Sequence, residues 1–374
     1  MDFVAPALTA LFGTLLLTAT LRRFAGLVRL IDTPTERKDH IGEIPLVGGI
    51  AMFIGIAVGL ALVTGLDSAT WNLILACLLL VVVGAIDDRN GLPSIVRLVA
   101  QTCAALIIVV GGNQVIADIG NPFGTGILVL GPAAVAVSVV ITITVINAFN
   151  FSDGVDGLAS CMALIALAAG AVAGGWTAPS SIVAIVVAAA IIGFLIFNFP
   201  TKKHNRRRTF MGDAGSTMLG LIVVWLTIEV CQGETRHISP VVGLWFVLVP
   251  VADFFSCFVQ RISRSTSPLL PGREHFHHVL LRAGLSARQV VGTLCGGAIV
   301  YATLGLLGSA AGVPDWVMFA LWMALLVSQH WIVAGLAKWL PNLTKQLTAT
   351  ETPADPITVQ KPNLESEDKL VSGK

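Results

Sequence analysis

Apolar runs long enough to cross a bilayer recur along most of this 374-residue chain, and nothing else restricts its fold so severely. They fall at about 3–21, 46–64, 71–86, 95–111, 127–147, 158–174, 180–198, 214–231, 240–260, 289–311 and 315–336. A helix needs about 20 apolar residues to span the hydrocarbon core. Backbone groups in lipid must bond within the segment or around a closed barrel. Barrel strands are about 10 residues long and alternate in polarity, which these runs do not. The chain is therefore expected to be all-α, a polytopic membrane protein of about eleven transmembrane helices. Only 12% of its residues are charged and 55% are hydrophobic, against about 25% charged in soluble domains.

Charge placement sets the orientation. Asp2 precedes the first run and Arg22 and Arg23 follow it, the reverse of a cleavable signal peptide. The first helix is read as retained, with the N-terminus outside (periplasmic). Counting forward, every one of the 23 Lys and Arg residues except Arg236 then falls on the inner side, as the positive-inside rule demands. The C-terminus is expected in the cytoplasm. The membrane domain is read as 1–340, and the polar stretch 341–374, rich in Pro, Thr, Glu and Lys, as a disordered tail. The six cysteines all lie in apolar runs without metal-ligand spacing, so they read as small hydrophobes and imply no disulfide framework.

The inner loops hold nearly all the residues with chemical character. The first, DTPTERKDHIGEIPLVGG, offers Lys38 and His40 and ends in a glycine pair; it reads either as a headgroup anchor or as a phosphate contact. In GAIDDRNGL, Asp87 and Asp88 end an apolar run. Adjacent carboxylates repel at a membrane boundary, so a cation should relieve them, either Arg89 or a divalent metal. NAFNFSDGVDGL sets Asn147, Asn150, Asp153 and Asp156 three residues apart. On a helix they make a spiral patch, which Gly154 and Gly157 should open. Oxygen-only donors of this kind suit Mg²⁺. The segment NFPTKKHNRRRTFMGDAGS pairs a basic cluster with Asp213 in a glycine-rich helix start, where a carboxylate caps the helix or holds a metal against a phosphate. The last large loop carries Arg273, His275, His277 and His278, suited to donating to a diphosphate. Zinc is the rival there, but no cysteine is near in sequence, and adjacent histidines lack helical ligand spacing. Asp253, inside an apolar run, is a candidate by depth alone.

No phosphate-cradling glycine–lysine–serine loop and no serine nucleophile elbow is present. The inventory suits metal-assisted transfer of a phosphorylated group onto a membrane lipid. An ion-coupled transporter is the competing class. It would spread polar residues to mid-membrane and to both faces, whereas here they gather on one.

Five segments in order over about residues 32–284, namely DTPTERKDH…PLVGG, DD, NAFNFSDGVDGL, FMGDAGS and REHFHHVLLRAG, resemble the polyprenyl-phosphate N-acetylhexosamine-1-phosphate transferases, glycosyltransferase family 4 in bacteria. The HFHH…LLRAG loop is similar to the WecA-type branch that uses UDP-GlcNAc. The peptidoglycan branch shows three successive histidines followed by Phe and Glu; here Phe276 interrupts the run and valine follows it. Relatives often carry a third aspartate where this chain has Asn90-Gly91-Leu92, so no role is assigned there.

The resemblance implies GlcNAc-1-phosphate transfer from UDP-GlcNAc to undecaprenyl phosphate, giving undecaprenyl-diphosphate-GlcNAc and UMP. That is a first membrane step of a surface polysaccharide such as O-antigen or a wall polymer, at the cytoplasmic face of a bacterial inner membrane. UDP-GalNAc and UDP-MurNAc-pentapeptide are the alternative donors. Mg²⁺ is the implied cofactor, with Mn²⁺ as a substitute. The implied partners are the two substrates and membrane lipids, no nucleic acid, with a homodimer left open. Asp213 and Asp156 are assigned to the metal and the diphosphate. Asp87 and Asp88 are assigned to orienting the lipid phosphate, and Asn150, Asp153 and Asp156 to the reacting centre. Lys38, His40, Asn147, Arg273, His275, His277 and His278 are assigned to substrate binding. In-line attack and a covalent aspartyl-phosphate both remain open.

Overall fold

The computed structural model describes residues 3–33, 42–176, 178–201, 208–233, 236–263 and 275–350, with side chains through residue 336. Thirteen α-helices follow in chain order: α1 (Val4–Phe24), α2 (Gly48–Ala61), α3 (Ser68–Asn90), α4 (Ser94–Leu106), α5 (Ala134–Ser152), α6 (Leu158–Gly174), α7 (Pro179–Asn198), α8 (Gly212–Cys231), α9 (Pro240–Phe246), α10 (Leu248–Ser263), α11 (Phe276–Arg282), α12 (Ala287–Ala310) and α13 (Asp315–Thr350). A two-residue antiparallel pair, β1 (Ile31–Asp32) with β2 (Ile44–Pro45), is the one sheet among the described residues.

Eight helical stretches are long and apolar enough to cross a membrane, or nine when α9 and α10 count as one bent span. The chain is an all-α, multi-pass membrane protein. Two of the expected spans are shorter apolar helices, α2 with 14 residues and α6 with 17. The expected span 240–260 is broken: α9 and α10 meet at 80°. Pro250 accounts for the break. It has no N–H for the carbonyl of Phe246, four residues back, and its ring collides with that carbonyl in a continuous helix. The chain turns at Val247, where φ is −119° and ψ is 12°. At the far end, α13 continues through Thr350, past the boundary read at 340, and residues 351–374 lie outside the described residues.

Large apolar side chains lie exposed along the outer helices, among them Leu16 on α1, Val82 on α3, Leu307 on α12 and Trp331 on α13. In water such surfaces would aggregate; in a bilayer they face lipid. The centre is α8, which packs against α2, α3, α5 and α6 and is buried on nearly every side, as an apolar-all-round helix must be. Four of the six cysteines are buried and none of the six is in a disulfide.

One end of the bundle is tied by a polar network. Arg236 pairs with Asp118 at 3.1 Å. Gln232 accepts from Ala117 N–H and donates to the Asp118 carbonyl. Asp315 accepts from Asn121 N–H and from Ser239 Oγ. At the opposite end α3 and α5 finish and α8 begins. Every candidate catalytic residue lies there.

Candidate active site

The site is built around the start of α8. Its first amides have no partner within the helix, and Asp88 from the end of α3 supplies one: Asp88 Oδ1 accepts from Asp213 N–H at 2.9 Å, and Oδ2 lies 3.5 Å from Ala214 N. Gly212 makes this contact feasible. Its φ is +68°, and a Cβ there would sit 2.1 Å from Asp88 Oδ2. Of the two readings of Asp213, helix cap or metal ligand, the first falls away: its side chain does not cap α8. The described end of the first loop, residues 45–49, lies along the same turn. Gly48 N–H donates to Phe210 O, Gly49 N–H to Met211 O, and Phe210 N–H to Pro45 O. A Cβ on Gly49 would fall 2.3 Å from Gly215 N, so the PLVGG and FMGDAGS segments touch backbone to backbone.

Asp213 and Asp87 are joined by a residue that had drawn no attention as a ligand. Arg97 Nη1, from the first turn of α4, lies 3.3 Å from Asp87 Oδ2 and 3.3 Å from Asp213 Oδ2. The cation beside Asp87 is thus Arg97, and Asp88 rests on the α8 amides, while Arg89 is exposed. Asp87 also accepts from Leu92 N–H. The Asp87 side chain is 8% exposed and Asp213 30%, so Asp213 is the more open of the two. Asn150, in the last turn of α5, donates to Asp213 Oδ1 and to Ser216 Oγ, each at 2.9 Å. One turn earlier, Asn147 donates to Gln101 Oε1 at 2.7 Å.

The four-residue spiral ends where α5 ends. Asp153 is the C-cap, and Asp156 lies in the turn before α6. Burial, and then the charges of Asp213, Asp156 and Asp88, hold the Asp153 carboxyl well above the ordinary carboxylate range. Asp156 forms an ion pair with Arg208, and the Arg208 guanidinium lies 4.9 Å from the centre of the Phe210 ring. Asn198 at the end of α7 staples the turn: Oδ1 accepts from Gly157 N–H at 2.7 Å and Nδ2 donates to Thr209 O at 3.0 Å.

The histidine segment opens α11 and is clamped by Asp253 of α10. Asp253 Oδ1 accepts from Phe276 N–H at 2.7 Å, and Oδ2 lies 3.0 Å from His275 Nδ1. His275 and His277 stack at 5.5 Å with a 5° interplanar angle, and His278 lies 4.1 Å from His277. Burial first, and then the neighbouring His278, push the His277 imidazole down to about 3, so it is neutral at pH 7. Phe151, beside Asn150, packs on His275 at 5.2 Å and under Arg261 at 6.0 Å.

A cavity of about 200 Å³ opens among α3, α4, α5, α8 and α10. Its polar part carries Asp87, Arg97, Asn150, Asp213 and Arg261; its remaining wall is chiefly apolar, including Leu80, Leu98, Ile143 and Phe254. A charged mouth on an apolar wall suits an amphiphile with an anionic head.

The conserved-family model for glycosyl transferase family 4 matches residues 70–231, which run from α3 through α8 and hold most of this cluster. A protein of Escherichia coli O157:H7 described as undecaprenyl-phosphate alpha-N-acetylglucosaminyl 1-phosphate transferase is 34% identical over 356 residues, covering 90% of this chain and 96% of the relative. The chain belongs to glycosyl transferase family 4. Relatives of the same description in Yersinia pestis and Haemophilus influenzae are 32% and 31% identical, covering 85% and 82% of this chain. The resemblance read from the five motifs is borne out.

In this family 4 member, the fold brings Asp87, Asp88, Asn150, Asp153 and Asp213 together from three helix ends, with Asp156 in the adjoining turn. Asn147 sits one turn deeper, and His275, His277 and His278 join through Phe151. Lys38, His40 and Arg273 lie outside the described residues. Sequence reading missed Arg97, Gln101, Ser216, Arg261 and Asn198 as parts of the site. Arg97 was visible only as one of two basic residues near the aspartate pair. The others carried no signal, because their roles depend on which helix faces which.

Proposed function

We propose that this protein transfers GlcNAc-1-phosphate from UDP-GlcNAc to undecaprenyl phosphate, releasing UMP. The observation that carries the reading is the convergence of Asp87, Asp213 and Arg97 in a cavity whose remaining wall is chiefly apolar; the descriptions of the relatives name the substrates. The apolar wall takes the first isoprene units, and the mouth takes the phosphate. A phosphate monoester has a second pKa of about 6, so the lipid head is mostly dianionic at pH 7 and needs little help from a base. Its oxygen attacks the β-phosphorus of the UDP-sugar, the bond from that phosphorus to the bridging oxygen breaks, and UMP leaves. The protein's part is alignment and charge stabilisation. Arg97 and Arg261 draw the anionic head into the cavity. Asp88 fixes the α8 turn, and Asn150 fixes the Asp213 carboxylate. The neutral His277 and its neighbours donate to the sugar diphosphate, together with Lys38, His40 and Arg273 from outside the described residues.

The donor set fits Mg²⁺, since it is all oxygen and carries surplus negative charge, as the raised carboxyl of Asp153 reports. Asp213 and Asp156 would hold the ion, with Asp153 under the charge of both. A bound divalent cation neutralises and aligns phosphate oxygens. Arg208, now paired with Asp156, is positioned to exchange that carboxylate for a substrate phosphate. We place the site on the cytoplasmic face of a bacterial inner membrane, with α2 and α6 completing eleven crossings, and we place the reaction at the start of a surface polysaccharide.

UMP release by the purified protein, with undecaprenyl phosphate and each of UDP-GlcNAc, UDP-GalNAc and UDP-MurNAc-pentapeptide, tests the reading. Lipid-dependent release with UDP-GlcNAc, abolished by EDTA and restored by Mg²⁺, is expected. Release with a different donor alone overturns the sugar assignment, and release that survives EDTA overturns the metal.

A further inference from the structure

Beside the aspartate cluster lies a second set of donors of different chemistry. Asp253 and Cys257 stand one turn apart on α10, where residues four apart share a helix face, and His275 enters at the start of α11. His275 Nδ1 is 3.0 Å from Asp253 Oδ2 and 3.2 Å from Cys257 Sγ. One donor atom from each of the three residues lies within 4.8 Å of the others. Asp253, Cys257 and His275 are 5%, 1% and 5% exposed. Cys257 and His275 are 18 positions apart in the chain, so no cysteine stands near the histidines in the sequence; folding α11 back onto α10 joins them.

We propose that Asp253, Cys257 and His275 form a binding site for a zinc-class divalent cation, separate from the Mg²⁺ centre. One nitrogen, one sulfur and one carboxylate oxygen make a set that Zn²⁺ takes readily, and that a hard cation such as Mg²⁺ leaves alone because of the thiolate. Three protein ligands leave the fourth tetrahedral position to water. With Zn–S about 2.3 Å and Zn–N about 2.0–2.1 Å, tetrahedral ligands sit roughly 3.6 Å apart, so the nitrogen and sulfur need separate by only a few tenths of an ångström. Binding expels one proton to solvent, that of the Cys257 thiol; His275 enters as a neutral imidazole with its Nδ1 lone pair on the ion and its proton on Nε2, and no oxidation state changes. The other oxygen of Asp253 stays on Phe276 N–H at 2.7 Å, which keeps the carboxylate oriented. Cys257 lines the wall of the cavity described above, which gives the ion a route in. A consequence, resting on the reading of the histidine segment as the sugar-diphosphate holder, is inhibition: a bound zinc ion pins His275 and withdraws it from substrate.

Full-length protein in detergent, stripped with chelator and free of substrate, should be titrated with Co²⁺, whose thiolate complexes absorb in the near ultraviolet. A saturable sulfur-to-cobalt band in the wild type is expected, kept in Cys103→Ser, which changes an exposed cysteine, and lost in Cys257→Ser. No band in the wild type, or a band that persists in Cys257→Ser, overturns the site. UMP release with and without added Zn²⁺ at fixed Mg²⁺ then tests the consequence, each protein serving as its own control. A zinc-dependent loss in the wild type that disappears in Cys257→Ser supports it. Cobalt binding without zinc inhibition upholds the site and overturns the assigned role of the histidine segment.

Discussion

Asp213 and Arg97 are the residues whose loss should separate chemistry from folding. Asp213 accepts from Asn150 and Arg97 and caps nothing, so Asp213→Asn should insert and fold normally. UMP release should drop by about 10³-fold, the upper range for removing one preorganised charged contact. Wild-type turnover in that variant would remove Asp213 from the reacting centre. Arg97→Met removes the cation between two carboxylates at the cavity mouth. A fall of about 10²-fold in kcat/KM for the lipid phosphate is expected, with partial recovery in Arg97→Lys, which keeps the charge and loses the fork. Equal rates in wild type and Arg97→Met would leave Arg97 a mere structural tie. Asp213 was legible in the sequence because a lone carboxylate in a glycine-rich helix start is unusual. Arg97 was not, because an arginine after a proline-bounded turn reads as one more inner-face positive charge.

At the level of the element, two devices hold the loops in register. Asn198 ties the turn that carries Asp156 to the segment that leads into α8. Asn198→Ala leaves Gly157 N–H and Thr209 C=O without their partner, a loss of roughly 1–3 kcal/mol for a buried unsatisfied group. It should appear as a lowered thermal midpoint in detergent; an unchanged midpoint would mean the turn holds itself. The histidine helix α11 is docked with a neutral His277, whose imidazole is pushed down to about 3 from an ordinary value of about 6.5. The folded form therefore binds fewer protons than the undocked form below pH 6.5. The contribution of His277 to docking is complete above about 6.5 and is lost as pH falls from there toward 3. Proteolysis or hydrogen exchange across 275–283 should accelerate over that window in the wild type and respond less steeply in His277→Phe. These elements were partly legible: the histidine run was plain, but the helix break that aims α10 and Asp253 at it follows from Pro250, a residue that read as one apolar position among many.

For the whole molecule, an odd number of crossings puts the termini on opposite faces. The eleven crossings proposed above need α2 and α6 to span in addition to the eight long apolar helices and the bent pair. Protease accessibility of tags on the two ends, in inside-out and right-side-out vesicles, should give opposite patterns, with the C-terminal tag on the side of the Lys202–Arg208 cluster. Matching patterns would show that α2, α6 or the bent pair enters and leaves on one side. The backbone contact of Gly49 with Gly215 fastens α2 to α8. Gly49→Val should therefore lower the thermal midpoint by the equivalent of roughly 1–3 kcal/mol or more, the range for overpacking; an unaltered midpoint would put that contact in doubt.

The sequence by itself determined the membrane class, the expected order of apolar spans and the family, and it singled out the aspartates of the candidate site. Each rests on a local quantity: the length of an apolar run, the side on which a basic residue falls, or a motif of a few adjacent residues. The partnerships were decided only by tertiary structure. Asp88 caps a helix 125 positions away, Arg97 joins Asp87 to Asp213 across 116 positions, and Cys257 meets His275. A helix has a fixed period but no record in its own residues of which neighbour its polar face will meet. That is settled by how the bundle packs around α8, and with it which carboxylates stand free to meet substrate.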